Sequence, residues 1–263
     1  MKRIYMILAL LAGLTSGQGI AQTKTSTVQS SFSNQLQSPE VPERQKAFGA
    51  LLRSPEVLKG PSGSDLVVDL LERETNLIES TLLASNSRVG VSQKYGEGYS
   101  EYYAQVLDTA VAVGNRLNPH VIEVLARASY NSDSGFAIGL AKEYGVQIST
   151  VIIELAQSPL SSRRMQAVEM LGTILQECKT LPVPVERRIR LTLLNAISDQ
   201  GDGVRLQAVI TLGEVGELSD IGLLNQVRQN DKGIVLPDKS RRFFVREAAD
   251  KAILKIRERA STR

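Results

Sequence analysis

The chain has 263 residues, enough for one generous domain or a short repeat array. Apolar residues make up 42%, which excludes wholesale disorder, and aromatics only 5%, a composition better suited to an all-helical core than to a β-sandwich. One histidine and one cysteine leave no multi-histidine metal centre and no intrachain disulfide, so no cofactor or metal is expected and packing alone must hold the fold.

The first residues, M-K-R-I-Y-M-I-L-A-L-L-A-G-L-T-S-G-Q-G-I-A-Q, follow the plan of a secretory signal. Lys2 and Arg3 give the positive start, Ile4 to Leu14 the apolar run, and Gly19-Ile20-Ala21 the small-x-small cleavage site. The run is shorter than the ~20 residues a membrane span needs. The expectation is therefore a periplasmic or secreted protein cleaved near Ala21, with no stable span after signal removal. Leu14 stands where a lipoprotein box would need cysteine, which excludes lipid anchoring at that point. Loss of Lys2 and Arg3 leaves 29 basic against 28 acidic residues. Such a balance gives no ground for a nucleic-acid partner.

Residues 22–40 are rich in Ser, Thr and Gln and read as a flexible leader. From there the pattern is amphipathic helices broken by short Gly, Pro and Asp turns, with no alternating strand pattern. The expected helices are 42–53, 64–84, 100–115, 119–130, 135–144, 147–157, 161–177, 184–198, 203–215, 219–229 and 241–259. Ser64, Ser100 and Ser149 are candidate caps, and Pro42 sits at a first-turn position.

One pattern recurs. Arg164, Arg205 and Arg246 are each followed by Ala at +3 (Ala167, Ala208, Ala249) and by a branched aliphatic at +7 (Leu171, Leu212, Ile253). Another aliphatic follows at +10 (Ile174, Val215, Ile256), and these offsets fall on one helical face. A weaker echo runs through Arg44, Ala47 and Leu51 and fails at Ser54. The arginines are evenly spaced, but the spacing hides two compensating insertions, placed at about 176–186 and 232–244.

These residues, above all D-Q-G-D-G-V-R-L-Q-A-V-I-T-L-G-E-V-G at 199–216, resemble HEAT repeats of the bacterial, phycobilisome-lyase type. The resemblance implies an α-solenoid of about five to six stacked helical hairpins. Residues 161–263 would be the clearer repeats, ending in a cap helix, and 41–160 divergent ones. It also implies that Asp and Arg bridge adjacent repeats, carried here to Asp199 and Arg205, with Asp231 displaced before Arg246. Arg164 and Arg246 belong to the same implied ladder as Asp199 and Arg205, although at Arg164 the Asp place holds Ser158 and the bridge departs from the family pattern. Members of the family bind proteins far more often than they perform chemistry.

Nothing in the chain is a recognisable catalytic motif. Cys178 lies 58 residues from His120, the single histidine, and reads as an idle thiol; His120 reads as a capping or surface residue. Y-G-E-G-Y-S (95–100) lacks the third glycine of a dinucleotide loop, and G-P-S-G-S (60–64) reads as a turn. Two features suit partner binding. The loop around 92–103 holds four of the seven tyrosines, of which Tyr95 and Tyr99 are the candidate contacts; the alternative is a solvated loop with Tyr102 and Tyr103 packed into the next helix. The insertion before the last repeat carries Lys239, Arg241 and Arg242, suited to an anionic partner. The expectation is a non-catalytic exported scaffold or adaptor that binds protein partners. The alternatives are a divergent enzyme of lyase or hydrolase type with its site in 60–160, and a purely structural envelope component.

Overall fold

The computed structural model describes residues 30–58, 60–85, 89–115, 118–129, 134–235 and 241–262. The expected signal, most of the expected leader and Lys239 lie outside the described residues. The fold is all-α apart from one two-residue strand pair. Contacts divide the chain into two compact units, Met1–Ala128 and Ser129–Arg263.

Unit 1 contains a short helical segment at 30–36, then α1 (Val41–Leu52), α2 (Pro55–Leu58), α3 (Pro61–Ser85), α4 (Val89–Tyr95), α5 (Tyr99–Val113) and α6 (Pro119–Ala128). The long helix α3 is its centre and packs against α2, α4, α5 and α6. Val67, Leu71, Glu74 and Ile78 recur at helical spacing along its buried stripe, with a carboxylate in an otherwise apolar row. Helix α3 starts at Pro61, three residues before the expected Ser64, because proline pre-sets the first helical turn. Ser64 is inside the helix, its buried hydroxyl without a protein partner.

The expected loop at 92–103 is mostly helix. Only residues 96–98 turn, with Gly96 at φ 90°, a left-handed conformation that glycine adopts without strain.

Unit 2 contains α7 (Ser134–Leu155), α8 (Ser161–Glu177), α9 (Val183–Ala196), α10 (Asp202–Val215), a 3₁₀ turn at Leu218–Asp220, α11 (Ile221–Asn230), the strands β1 (Ile234–Val235) and β2 (Arg241–Arg242), and α12 (Phe244–Ser261). The two helices expected at 135–144 and 147–157 appear as α7 with a break at Tyr144, where φ is −124° and ψ 19°. Within it, Phe136–Leu155 is long and apolar enough to cross a bilayer by length and composition. Its Ala137, Leu140, Ala141, Ile148 and Ile152 are nonetheless buried in the protein. Ser149 is not a cap; its hydroxyl donates within the helix to the Val146 carbonyl. Ser100 lies inside α5 and gives no cap either, since the N-cap there is Gly98.

Helices α8, α10 and α12 carry the recurring pattern and lie side by side, with α10 in the middle. The two interfaces share one register. Gly172 of α8, eight residues after Arg164, abuts Thr211; Gly213 of α10, eight after Arg205, abuts Ala252, and a Cβ on Gly213 would come within 3.1 Å of it. The index rises together along both helices, so they run parallel. Residues at +3, +7 and +10 are buried except Val215, which is half-buried. Gly172→Val would drive a branched side chain into Thr211. It is expected to destabilise the protein by about 1–3 kcal/mol, as overpacking does, readable as a lowered urea midpoint with unchanged slope.

The two insertions prove different in kind. The one expected at about 176–186 is not a loop. Helix α8 has 17 residues against 14 in α10, and α9 has 14 against 10 in α11; two further residues, Ile197 and Ser198, precede Asp199. The excess is therefore mostly extra helical turn. The one at 232–244 is a β-hairpin, in which Ile234 pairs with Arg242 and Val235 with Arg241. Strands of two residues are too short to show an alternating pattern, so they left no sign in the sequence.

Candidate functional site

The arginines of the repeated pattern form one recurring arrangement. Arg164 lies at the fourth position of α8, and its Nε and Nη2 donate to the two carboxylate oxygens of Asp199 at 2.8 and 2.7 Å. Its Nη1 turns back to the carbonyls of Ser158 and Pro159 at 2.8 and 3.1 Å. Arg205, fourth in α10, repeats this with Asp231 (2.8 Å) and the carbonyls of Asp199 and Gln200. Each guanidinium thus ties the turn six and five residues before it to a carboxylate on the far side.

This corrects the expected pairing. Asp199 does not bridge to Arg205 by its carboxylate; Arg164 takes that, and Arg205 receives only the Asp199 main-chain oxygen. Arg164, whose Asp place holds Ser158, makes the more complete bridge. The reason lies in the turn. Asp199 Oδ1 accepts the Gly201 N–H at 2.7 Å and Asp231 Oδ1 the Gly233 N–H at 2.8 Å. This local bond fixes the carboxylate towards the preceding helix pair while the carbonyl faces the following helix. Ser158 closes the same turn, accepting the Leu160 N–H at 3.2 Å.

The echo at Arg44 carries the same arrangement in unit 1. Nη1 donates to the carbonyls of Ser38 and Pro39 at 2.8 and 2.9 Å, and Nε and Nη2 donate to Glu74 at 2.6 and 3.2 Å. Here the carboxylate comes from inside α3 and two more donors converge on it. Tyr99 and Tyr102 give their hydroxyl protons to Glu74 at 2.6 and 3.0 Å. Arg44 and Glu74 are 1% and 0% exposed, and every oxygen of Glu74 is satisfied. Burial and the adjacent Glu74 charge push both tyrosine hydroxyls far above their ordinary pKa. For Arg44, burial opposes the charge, but the Glu74 hydrogen bond and charge more than offset it.

Tyr99, expected on a contact surface, is therefore in the core at 1% exposure. Tyr95 is half-buried; its ring lies 5.0 Å from that of Tyr99, and its hydroxyl is 3.1 Å from that of Thr81. Glu74 was missed from sequence. The available signal was its place in the stripe Val67, Leu71, Ile78, where a charge is costly unless paired.

Asp199 is held below the usual carboxylate range. Burial works against its charge, but Arg164, the Gly201 N–H and the nearby Arg205 outweigh that. With the folded pKa below the unfolded value of about 3.9, this stabilisation is complete above about pH 4 and disappears as pH falls through the folded value. Acid unfolding of Asp199→Asn is accordingly expected to show a shallower pH dependence in that window than the unmodified protein, measured by urea midpoints from pH 5 to pH 2.

The basic end is partly used structurally. Arg259 donates to the Gly213 and Gly216 carbonyls at 2.9 and 2.5 Å, satisfying the C-terminal end of α10. Arg241 and Arg242 are exposed on β2, and Arg241 donates to the Lys232 carbonyl at 2.9 Å. Gly233, at φ 71°, makes the turn into this hairpin against the Arg242 carbonyl. Arg246 donates by Nε to the Asp231 carbonyl at 2.6 Å, and its guanidinium lies 4.3 Å from the centre of the Phe243 ring.

Elsewhere the structure offers shallow polar clefts. One of about 420 Å³ in unit 1 is lined by Leu36, Asp69, Glu72 and Arg73. His120 stands near it, exposed, with Nε2 3.6 Å from Glu72. Another of about 430 Å³ runs beside the Arg164–Asp199 pair, lined by Ser158, Thr192 and Asn195. Cys178 is half-buried against Gly145, its thiol donating to the Ala141 carbonyl, and burial pushes its pKa up. Such a thiol is a poor nucleophile at neutral pH. No protein-family model matches this chain, and no curated protein matches it.

Proposed function

We propose that this protein is an exported, non-catalytic scaffold of HEAT-like helical hairpins, stacked as an α-solenoid, that binds other proteins. The observation that carries the reading is the recurring guanidinium bridge. Arg44, Arg164 and Arg205 each tie a turn behind them to a carboxylate ahead, and α8, α10 and α12 meet in one register. A helix pair that cannot bury its own stripe gains by stacking on a copy of itself, and the bridges fix the stacking distance. The repeated residues other than Arg246 are thus occupied in holding helices together, which leaves the variable surfaces to select partners.

The test is affinity capture by the mature protein from its native cell envelope, with identification by mass spectrometry. One or more specific protein partners, and a mature mass beginning at Gln22, are the expected results. Turnover on a substrate panel would replace this reading with a divergent enzyme. Capture of nothing specific would leave a purely structural envelope component.

A further inference from the structure

The fourth arginine differs from the other three. Arg44, Arg164 and Arg205 each donate to a side-chain carboxylate, at 2.6 to 2.8 Å by Nε. Arg246 has none among the described residues. Its Nε is turned to the Asp231 carbonyl and its plane rests on Phe243, and among the described residues neither Nη group of this half-buried side chain has an acceptor. Resting on the scaffold reading above, we propose that Arg246 is the receiving site for an acidic segment of a partner protein, one presenting an aspartate in a tight turn.

The filled bridges define the chemistry of the ligand. At Arg164 the partner is a carboxylate engaged by two parallel N–H donors, the arrangement in which the planar guanidinium is most selective for a carboxylate. The aromatic ring under Arg246 fixes the plane of the fork before a ligand arrives. Both aspartates that fill bridges in unit 2 belong to Asp-x-Gly turns, Asp199-Gln200-Gly201 and Asp231-Lys232-Gly233. The same turn in a partner would present its carboxylate to the two Nη groups of Arg246, since Nε is already held by the Asp231 carbonyl.

Two further observations narrow the occupant. The hairpin leading into α12 exposes Lys232, Arg241 and Arg242, and the nearby acid Asp250 is paired with Arg228, with Glu247 the exposed acid beside the site. The net field favours an acidic approach. A further helix pair is disfavoured. The place filled by Gly172 in α8 and Gly213 in α10, where the next helix docks, is taken in α12 by Leu254, 57% exposed. A helix arriving in the same register would meet that side chain, so the occupant is a turn rather than another repeat.

The experiment uses the full mature chain and an acetylated, amidated peptide of residues 197–204, Ile-Ser-Asp-Gln-Gly-Asp-Gly-Val. Titration is followed by the Nε–Hε resonances of arginine, that of Arg246 being assigned by its loss in Arg246→Gln. The expected result is a saturable shift of the Arg246 resonance. A peptide with asparagine for its first aspartate should bind at least tenfold more weakly, a comparison that needs no altered protein. Equal binding of the two peptides, or peptide binding undiminished in Arg246→Gln, overturns the proposal. So does a shift produced by inorganic phosphate at lower concentration than by the peptide, which would mark a phosphate site instead. If the peptide fails while envelope capture still returns partners, the site falls and the scaffold reading stands. If capture fails while the peptide binds, the reverse holds.

Discussion

Replacing Glu74 by alanine is expected to destabilise unit 1 by about 3–5 kcal/mol, because it strands the buried Arg44 charge without a counter-ion. That is a large share of the roughly 5–15 kcal/mol by which a domain is stable. The variant also orphans the hydroxyls of Tyr99 and Tyr102. Tyr99→Phe, which removes one hydrogen bond to the carboxylate and leaves Arg44 and Tyr102 in place, should cost less, about 1.5–3 kcal/mol. The double change Arg44→Met with Glu74→Leu should recover part of the Glu74→Ala loss, since an apolar pair leaves no charge behind. Tyrosine fluorescence is the natural probe in urea titrations, with four of seven tyrosines at 95–103 and no tryptophan to mask them. A loss below about 1 kcal/mol, the size of a surface pair, would refute the buried network.

The second large effect is at Asp231. Its carboxylate holds Arg205 and the Gly233 N–H, and both side chains of the pair are about 5% exposed. Arg205 already has one buried nitrogen, Nη2, without a protein partner. Asp231→Ala is therefore expected to cost about 3–5 kcal/mol and to loosen the turn into the β-hairpin. The neighbouring pair Arg228–Asp250 offers the contrast, being roughly half exposed on both sides. Asp250→Ala should change stability by no more than about 1 kcal/mol, because water and salt screen that pair. Far-UV circular dichroism during urea unfolding separates the two cases. Equal effects would mean that burial does not govern these ion pairs.

The repeated helix was legible in the sequence because it depends on local spacing. Ala167, Leu171 and Ile174, and their copies, share a face by helix geometry alone, and the structure buries them together. The partner of each arginine was not legible. Asp199 lies six residues from Arg205 along the chain, yet its carboxylate serves Arg164, 35 residues back. The resemblance implied one pairing; the Asx turn, by fixing the carboxylate's direction, enforced the other.

The tyrosines failed for a related reason. Gly96 and Gly98 made 92–103 look like an exposed loop, whereas the turn takes only three residues and delivers Tyr99 and Tyr102 to a buried carboxylate. No local signal on the tyrosines themselves distinguishes these outcomes. The informative residue was Glu74, more than twenty positions away.

The direction of the bridges has a consequence for how such a chain can change length. Arg164 and Arg205 each reach back to their own turn and forward to an acid, Asp199 for Arg164 and Asp231 for Arg205. A tandem duplication of residues 199–230 would bring one new bridging acid, a copy of Asp199, and one new bridging guanidinium, a copy of Arg205. The upstream arginine would take the new acid, and the new arginine would take the old one. No bridging charge would be left buried alone, so gain or loss of the whole segment keeps these pairs matched where loss of a single bridging residue does not.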